Sequence, residues 1–342
     1  MFLDDYKEIC ENAAQRRRVS AEIHPEDFIF HFLFDNPTFQ SKEQAIEYYF
    51  EDGLCSAQKL LSILKEICGF GGEQKIHLLE FASGYGCVTR HINNVIPFCI
   101  NTACDIHQQA IQFIQEKLET EAVLSSSRPE DLHLNTTFDV VFALSFFSHM
   151  PKTTWTRWFN SLLPKLKKGG YFIFTTHGWL SLKYFGFPKF DNDGFWFTKR
   201  SEQKDLDTSE YGLSAVTPQF VFQQAAKNPE TSIVFFREAN WWGHQDVYVV
   251  KHDSGPGRGG RHINLSQKVS QPDFNNVIQK PVSGIPNPQV EKLEADSREK
   301  DVRIRNIESL LKEKETTLNN IYKSRSWKAL LMYYKLRDRI LY

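Results

Sequence analysis

Apolar residues in the first 250 positions fall into short runs separated by amphipathic stretches and small-residue turns. The run IHLLEF (76–81) predicts a strand, and CINTAC (99–104) predicts a second that ends at Asp105. From His107 to Leu118 the apolar positions recur at helical spacing. FDVVFAL (138–144) predicts a further strand. A Trp- and Leu-rich helix from near Thr153 to Leu166 follows, then a turn at KKGG (167–170) and the strand YFIFTT (171–176). Strand and helix alternating through short turns is the pattern of a parallel, doubly wound sheet. The runs TSIVFFRE (231–238) and DVYVVK (246–251) are joined by a loop too short for a crossover helix. They are expected to pair antiparallel as a hairpin at one edge.

Outside that alternation the chain divides by pattern. Residues 1–70 predict a helical region packed on a sheet domain of 71–252. Residues 253–289 are rich in Gly, Pro, Ser and Asn, bury too little apolar surface to fold alone, and predict a flexible linker. From Val290 a heptad register places Val290, Ile304, Leu311 and Leu318 at a, and Leu293, Ile307 and Ile321 at d. Ser297, Lys300 and Lys314 interrupt the seam, and charges flank it, so a coiled coil is expected over 290–322. It would hold a homo-oligomer or a partner protein. The segment 323–342 interleaves Trp327, Leu330, Tyr334 and Ile340 with Lys323, Arg325, Lys328 and Arg337. A basic amphipathic helix of that kind suits an anionic membrane surface, a partner protein or an extension of the coiled coil.

Composition narrows the classes. The 342 residues carry a net charge of -1, so no global field recruits nucleic acid. The six cysteines form no C-x-x-C pair and no zinc-ligand spacing with histidine, which predicts reduced thiols and no metal centre. The stretch MFLDDYKEICENAAQRRR lacks the apolar core of a secretory signal, and no run reaches the roughly 20 apolar residues of a membrane span. A cytoplasmic protein is expected, peripheral at the inner face of the membrane if the tail binds lipid.

Chemistry concentrates in LLEFASGYGCVTRH (78–91), where a strand reaches Glu80 and bends through a loop containing Gly84 and Gly86. In an open α/β sheet that loop lines the ligand crevice at the carboxyl ends of the strands. Two nucleoside cofactors compete for it. A dinucleotide site needs a third glycine, where this chain has Thr89, and Glu80 would repel a pyrophosphate. S-adenosylmethionine has no phosphate and carries an ammonium and a sulfonium, which a carboxylate favours. Asp105 suits ribose hydroxyls in either cofactor.

Taken together, LLEFASGYGCVTRHI, TACDIHQQAIQFI, FDVVFALSFFSHM and LPKLKKGGYFIFTTHG resemble the successive motifs of class I S-adenosylmethionine-dependent methyltransferases. The trailing hairpin extends the likeness to residue 251. More narrowly, SHMP with TTHG, EYGLSAVT and WGHQDVYVVK resemble methyltransferases of bacterial surface-polysaccharide assembly, and SRSWKALLMYYKLRDRIL resembles tails found in proteins of such clusters. The resemblance implies a Rossmann-like seven-stranded methyltransferase sheet ending in an antiparallel hairpin. It also implies S-adenosylmethionine bound by Glu80, Ala82, Gly84, Tyr85, Gly86, Asp105, Ile106, Ser127 and Ser145. In the region after the third strand, Ser126 and Arg128 compete with Ser127 as the adenine neighbour. Ala82 stands where the family often has glycine, and the loop tolerates it provided residue 82 does not need positive φ.

Transfer from a sulfonium is an in-line displacement, so the protein aligns the acceptor and, for a hydroxyl, takes its proton. His149 and His177, at two expected strand ends, are the candidate bases, each with a structural role as the alternative. His244 with Asp246 is a further acceptor-side pair. The aromatic insert 179–197 is expected to close over the pocket as a lid, or else to form an ordinary core cluster. Asp191, Asp193 and Asp207 lack tight metal-ligand spacing. The expected activity is O-methylation of a saccharide or sugar-linked acceptor. The competing readings are transfer to a small metabolite, lipid or protein, and a non-catalytic nucleoside-binding scaffold organised by the coiled coil.

Overall fold

Seven runs rich in β-branched and aromatic residues pair into one sheet in the computed structural model, which describes residues 4–253 apart from 202 and 204. The expected linker, coiled coil and basic tail lie outside the described residues. Three helices come first: α1 (Lys7–Arg17), α2 (Phe28–Phe34), capped by the Asp27 carboxylate, and α3 (Lys42–Glu66), capped by Ser41. Then β1 (Ile76–Phe81), α4 (Thr89–Val95), β2 (Cys99–Asp105), α5 (Gln108–Lys117) and β3 (Glu121–Leu124) alternate. They are followed by β4 (Phe138–Ala143), α6 (Lys152–Leu162) and β5 (Leu166–His177). A two-stranded ribbon of β6 (Phe195–Thr198) and β7 (Leu213–Val216) precedes α7 (Pro218–Ala226), β8 (Thr231–Trp241) and β9 (Gln245–His252).

The main sheet runs β3-β2-β1-β4-β5-β9-β8. The first five strands are parallel, and β9 lies antiparallel between β5 and β8. Alternate residues feed opposite faces, as a pleated strand requires. Leu79, Phe81, Val141, Phe172, Phe174 and Tyr248 pack with α6 and α7, while Leu78, Val140, Phe142, Ile173 and Val249 pack beneath α3 and α4. Strand order reverses between β1 and β4, so their carboxyl ends open the crevice where ligands bind in such sheets.

Two expectations change. The segment KKGG is not a turn before β5 but a bulge inside it: Phe138 pairs with Leu166 and Val140 with Tyr171. Gly169, at φ 83, lets the strand resume. The aromatic insert supplies a 3₁₀ helix (Trp179–Phe185) and β6, and its side chains go elsewhere than over the crevice. The N-terminal helices and the sheet belong to one compact unit. Ala57, Leu60 and Leu64 of α3 enter the same cluster as Leu78 of β1, and the Arg90 guanidinium ties the preceding segment down. That side chain is buried and donates to the carbonyls of Ser20, Glu22 and Gly86 and to the Tyr49 hydroxyl.

Candidate active site

A cavity of about 400 Å³ opens at the carboxyl ends of β1, β2, β3 and β4, within the roughly 300–1,000 Å³ range of ligand pockets. It gathers the first-strand loop, Asp105 and Ile106 after β2, the serines 125–127 after β3, and Ser145 and His149 after β4.

Glu80 ends β1 almost fully buried, with Oε2 accepting from Asn101 Nδ2 at 3.1 Å. Burial lifts its carboxyl to about 7, against the donors that favour the charged form. The two glycines divide their work. Gly84 lines the cavity, donates its N–H to Asp105 Oδ2 at 2.8 Å, and faces open space where a side chain would intrude on a ligand. Gly86 lies behind the wall: a Cβ there would run into Leu118 Cδ1 of the α5 cap. Gly86 is not among the residues that line the cavity. Ala82 lines the cavity at φ 60, the left-handed region, so the proviso attached to it at the sequence level is not met. Tyr85 lines the wall with its ring stacked on His24 (4.5 Å between centroids).

Asp105 is buried at the end of β2, and Oδ1 accepts from His107 N at 3.0 Å and from His107 Nδ1 at 2.8 Å. His107 also donates from Nε2 to Asp205 at 2.7 Å, so both ring nitrogens are donors and the imidazole is protonated. Those bonds, Asp105's first, hold its pKa up at about 9 despite burial. Ile106 and Ser127 both line the cavity. Ser145, at φ 58, receives the Gln245 Nε2–H on its hydroxyl at 2.8 Å, and its own N–H donates to Thr175 Oγ1 at 2.8 Å.

The two candidate bases part company. His149 lines the cavity, donates Nδ1–H to the Gly212 carbonyl at 2.8 Å and stacks on Tyr211 at 4.6 Å, with the two rings nearly parallel. That bond makes Nδ1 the donor to the backbone. His177 is not part of the cavity wall. It donates Nδ1–H to Ser214 O at 3.0 Å and accepts from Gln245 Nε2 at 3.2 Å. Burial, then the neighbouring His149, push its pKa down to about 3, so its place is in the packing behind the site. His244 and Asp246 use separate partners: His244 Nδ1–H donates to Trp242 O at 3.1 Å, while Asp246 Oδ1 accepts from Ala239 N at 2.9 Å. Lys152 engages Asp191 and Asp193, and Asp207 stands at the cavity rim. Among the described residues no group of three or more His, Cys, Asp or Glu is placed to hold a metal ion. No described helix is long and apolar enough to cross a membrane.

Several wall residues are not among the cofactor or catalytic candidates read from the sequence, although Asp207 is named there, and Glu210 and Tyr211 of EYGLSAVT and Trp242 of WGHQDVYVVK stand in stretches quoted there. Asp27, Phe28 and Ile29 come from the start of α2, Asp52 from α3, Trp242 from the β8–β9 turn, and Leu206, Asp207, Glu210 and Tyr211 from the segment before β7. The last group covers the cavity in place of the aromatic insert. His107 was accessible from sequence, as a titratable residue two positions after the ribose-type acid.

Residues 79–172 match the family model described as a methyltransferase domain. That stretch, running from β1 into β5, carries the methyltransferase-domain pattern. S-adenosylmethionine is its methyl donor. The residues of this domain fit that molecule: buried Glu80 beside the loop matches a cation, Asp105 matches ribose hydroxyls, and Gly84 leaves the backbone open to close approach. Three solved structures are similar. A S-adenosylmethionine-dependent methyltransferase from Clostridium acetobutylicum ATCC 824 is 16% identical, with a TM-score of 0.41 over 59% of this chain and 91% of that one. The PH0226 protein from Pyrococcus horikoshii OT3 is 15% identical, with a TM-score of 0.45 over 68% and 100%. The N-methyltransferase NodS from Bradyrhizobium japonicum WM9, in complex with S-adenosyl-l-homocysteine, is 14% identical, with a TM-score of 0.40 over 70% and 98%. No curated protein is detectably similar in sequence.

Proposed function

We propose that the methyltransferase domain methylates a hydroxyl of a saccharide or sugar-linked acceptor, with His149 as the base. The observation that supports this reading most directly is the meeting of His149 with the cofactor loop on one cavity wall, its tautomer set by the Gly212 carbonyl. S-adenosylmethionine, when bound, supplies a methyl group already activated by the sulfonium. The chain's own residues do the rest. Asp105 and Gly84 hold the ribose side, Glu80 faces the cationic end, and Nε2 of His149 takes the hydroxyl proton as the acceptor oxygen attacks. Tyr211, stacked on that imidazole, together with Leu206 shields the site from water. The likeness of SHMP, TTHG and WGHQDVYVVK to polysaccharide-assembly methyltransferases supports the sugar acceptor.

Labelled methyl transfer into glycan fractions tests the reading, with binding followed separately by calorimetry. His149→Gln is expected to retain S-adenosylmethionine affinity within about threefold and to lower turnover by roughly 10²–10⁴. Asp105→Ala is expected to lose binding itself. Unchanged turnover in His149→Gln removes histidine from the base role.

A further inference from the structure

The cavity wall carries more acidic than basic side chains. Six carboxylates line it: Asp27, Asp52, Glu80, Asp105, Asp207 and Glu210. Among the described lining residues there is no lysine and no arginine. The one wall imidazole shown to be protonated, His107, has both donors committed to Asp105 and Asp205. Glu80 and Asp105 stand beside the cofactor loop, where S-adenosylmethionine brings its own positive charge. The other four acids also line the cavity. Asp27 accepts from the Phe30 N–H at 3.0 Å and from the Tyr49 hydroxyl at 2.6 Å, and Asp52 accepts from the Trp242 indole. Asp207 accepts from the Ser209 N–H at 2.8 Å. These hydrogen-bond donors are neutral, while burial raises the Asp27 and Asp52 carboxyls, and the charges of Arg90, Lys59 and Lys199 act on Asp27, Asp52 and Asp207 respectively.

We infer that the acceptor enters this cavity with no negative charge of its own: the methylated unit is a neutral or amine-bearing sugar, and a uronic acid, sugar phosphate or nucleotide-activated sugar is rejected. This rests on the reading of the cavity as a methyl-transfer site. A phosphate in this space would lose water and meet an excess of carboxylates, with the His107 imidazolium already committed to Asp105 and Asp205, an arrangement that excludes a ligand by unfavourable pairing. Hydroxyl and ammonium groups, by contrast, find acceptors on every side.

The test incubates the full chain and labelled S-adenosylmethionine with a glycan and small-metabolite extract of the native host. Products are separated by size and by anion exchange, before and after mild acid cleavage of sugar–diphosphate bonds. The expected result is label in neutral or cationic monosaccharide units, with a preference of at least about 100-fold over anionic ones. Label in small anions before cleavage, or in anionic monosaccharides after it, overturns the inference. Absence of label from every fraction, with calorimetric S-adenosylmethionine binding intact, overturns the transfer reading and this inference with it. The exposed rim offers a second arm. In Asp207→Asn/Glu210→Gln, the ratio of UDP-glucose to methyl glucoside as inhibitors of transfer is expected to shift at least about tenfold toward the anion. An unchanged ratio sinks the assignment of charge selection to this wall.

Discussion

Ala82 spends backbone energy in the middle of the cofactor loop. At φ 60 an L-residue with a Cβ is disfavoured by about 1–2 kcal/mol, while glycine would be at ease. Against that, glycine gives the unfolded chain about 0.4–1 kcal/mol more entropy to lose. Ala82→Gly is therefore expected to raise stability by about 0.5–1 kcal/mol, read from urea unfolding midpoints. A loss of stability would show that the alanine methyl packs better than its backbone suggests. Glu80 carries the second residue-scale prediction. With its carboxyl held near 7 by burial, it is partly protonated at neutral pH in the free protein. A cationic ligand favours the carboxylate, so binding expels a proton and affinity rises as pH goes from 6 to 8. Calorimetry in buffers of different ionisation enthalpy reads the released proton directly. Glu80→Gln should abolish the release and flatten the pH dependence.

At the scale of elements, α3 meets the cofactor loop through Gly53. Helix propensity alone would make Gly53→Ala stabilising by about 1 kcal/mol. The contact decides otherwise, because a Cβ at Gly53 would run into the Cys87 carbonyl oxygen and lie 2.8 Å from His91 Cδ2. Backbone cannot rotate away as a side chain can, so a net loss of about 2 kcal/mol is expected, of the size seen for overpacked cores. Cys87 also lines the cavity, so S-adenosylmethionine affinity should fall in the same variant. Stability at or above wild type would show that the two helices have room to separate. The elements that were legible in sequence share a property: each is announced by its own residues. Glu80, Gly84 and Asp105 sit in one strand–loop–helix–strand unit, and their spacing survives folding because the unit is local. The aromatic insert was legible only as aromatic. Its composition could not say whether Trp179 and Phe187 face the crevice, and the cover instead comes from Leu206, Asp207, Glu210 and Tyr211. That polar segment shows no hydrophobic pattern to draw attention.

Across the whole molecule, the wall is assembled from segments far apart in sequence. Asp27, Asp52 and Trp242 meet because α3 lies under the loop and the β8–β9 turn reaches it, which no motif spacing encodes. Arg90 is the fastening between these parts. Its guanidinium satisfies carbonyls of the N-terminal segment and the carbonyl of Gly86 at once. Replacing it leaves several buried acceptors without donors, at a cost of about 3 kcal/mol. Arg90→Met is expected to lose about that much stability. It should also speed proteolysis within residues 18–27 and weaken S-adenosylmethionine binding. Normal protease resistance of that segment would show that the apolar contacts of α1 and α2 suffice to hold it.

The insertion of β9 between β5 and β8 has a consequence for how the protein is made. The strand that closes the sheet is the last of the seven to leave the ribosome, and until it arrives β5 presents an open edge flanked by aromatic side chains. Gln245, which seats the Ser145 hydroxyl, travels on that same strand. Synthesis halted before residue 245 thus yields a chain with an adhesive edge and no finished pocket. A fragment ending before residue 245 is expected to aggregate under conditions where the full chain stays dispersed, as read by light scattering.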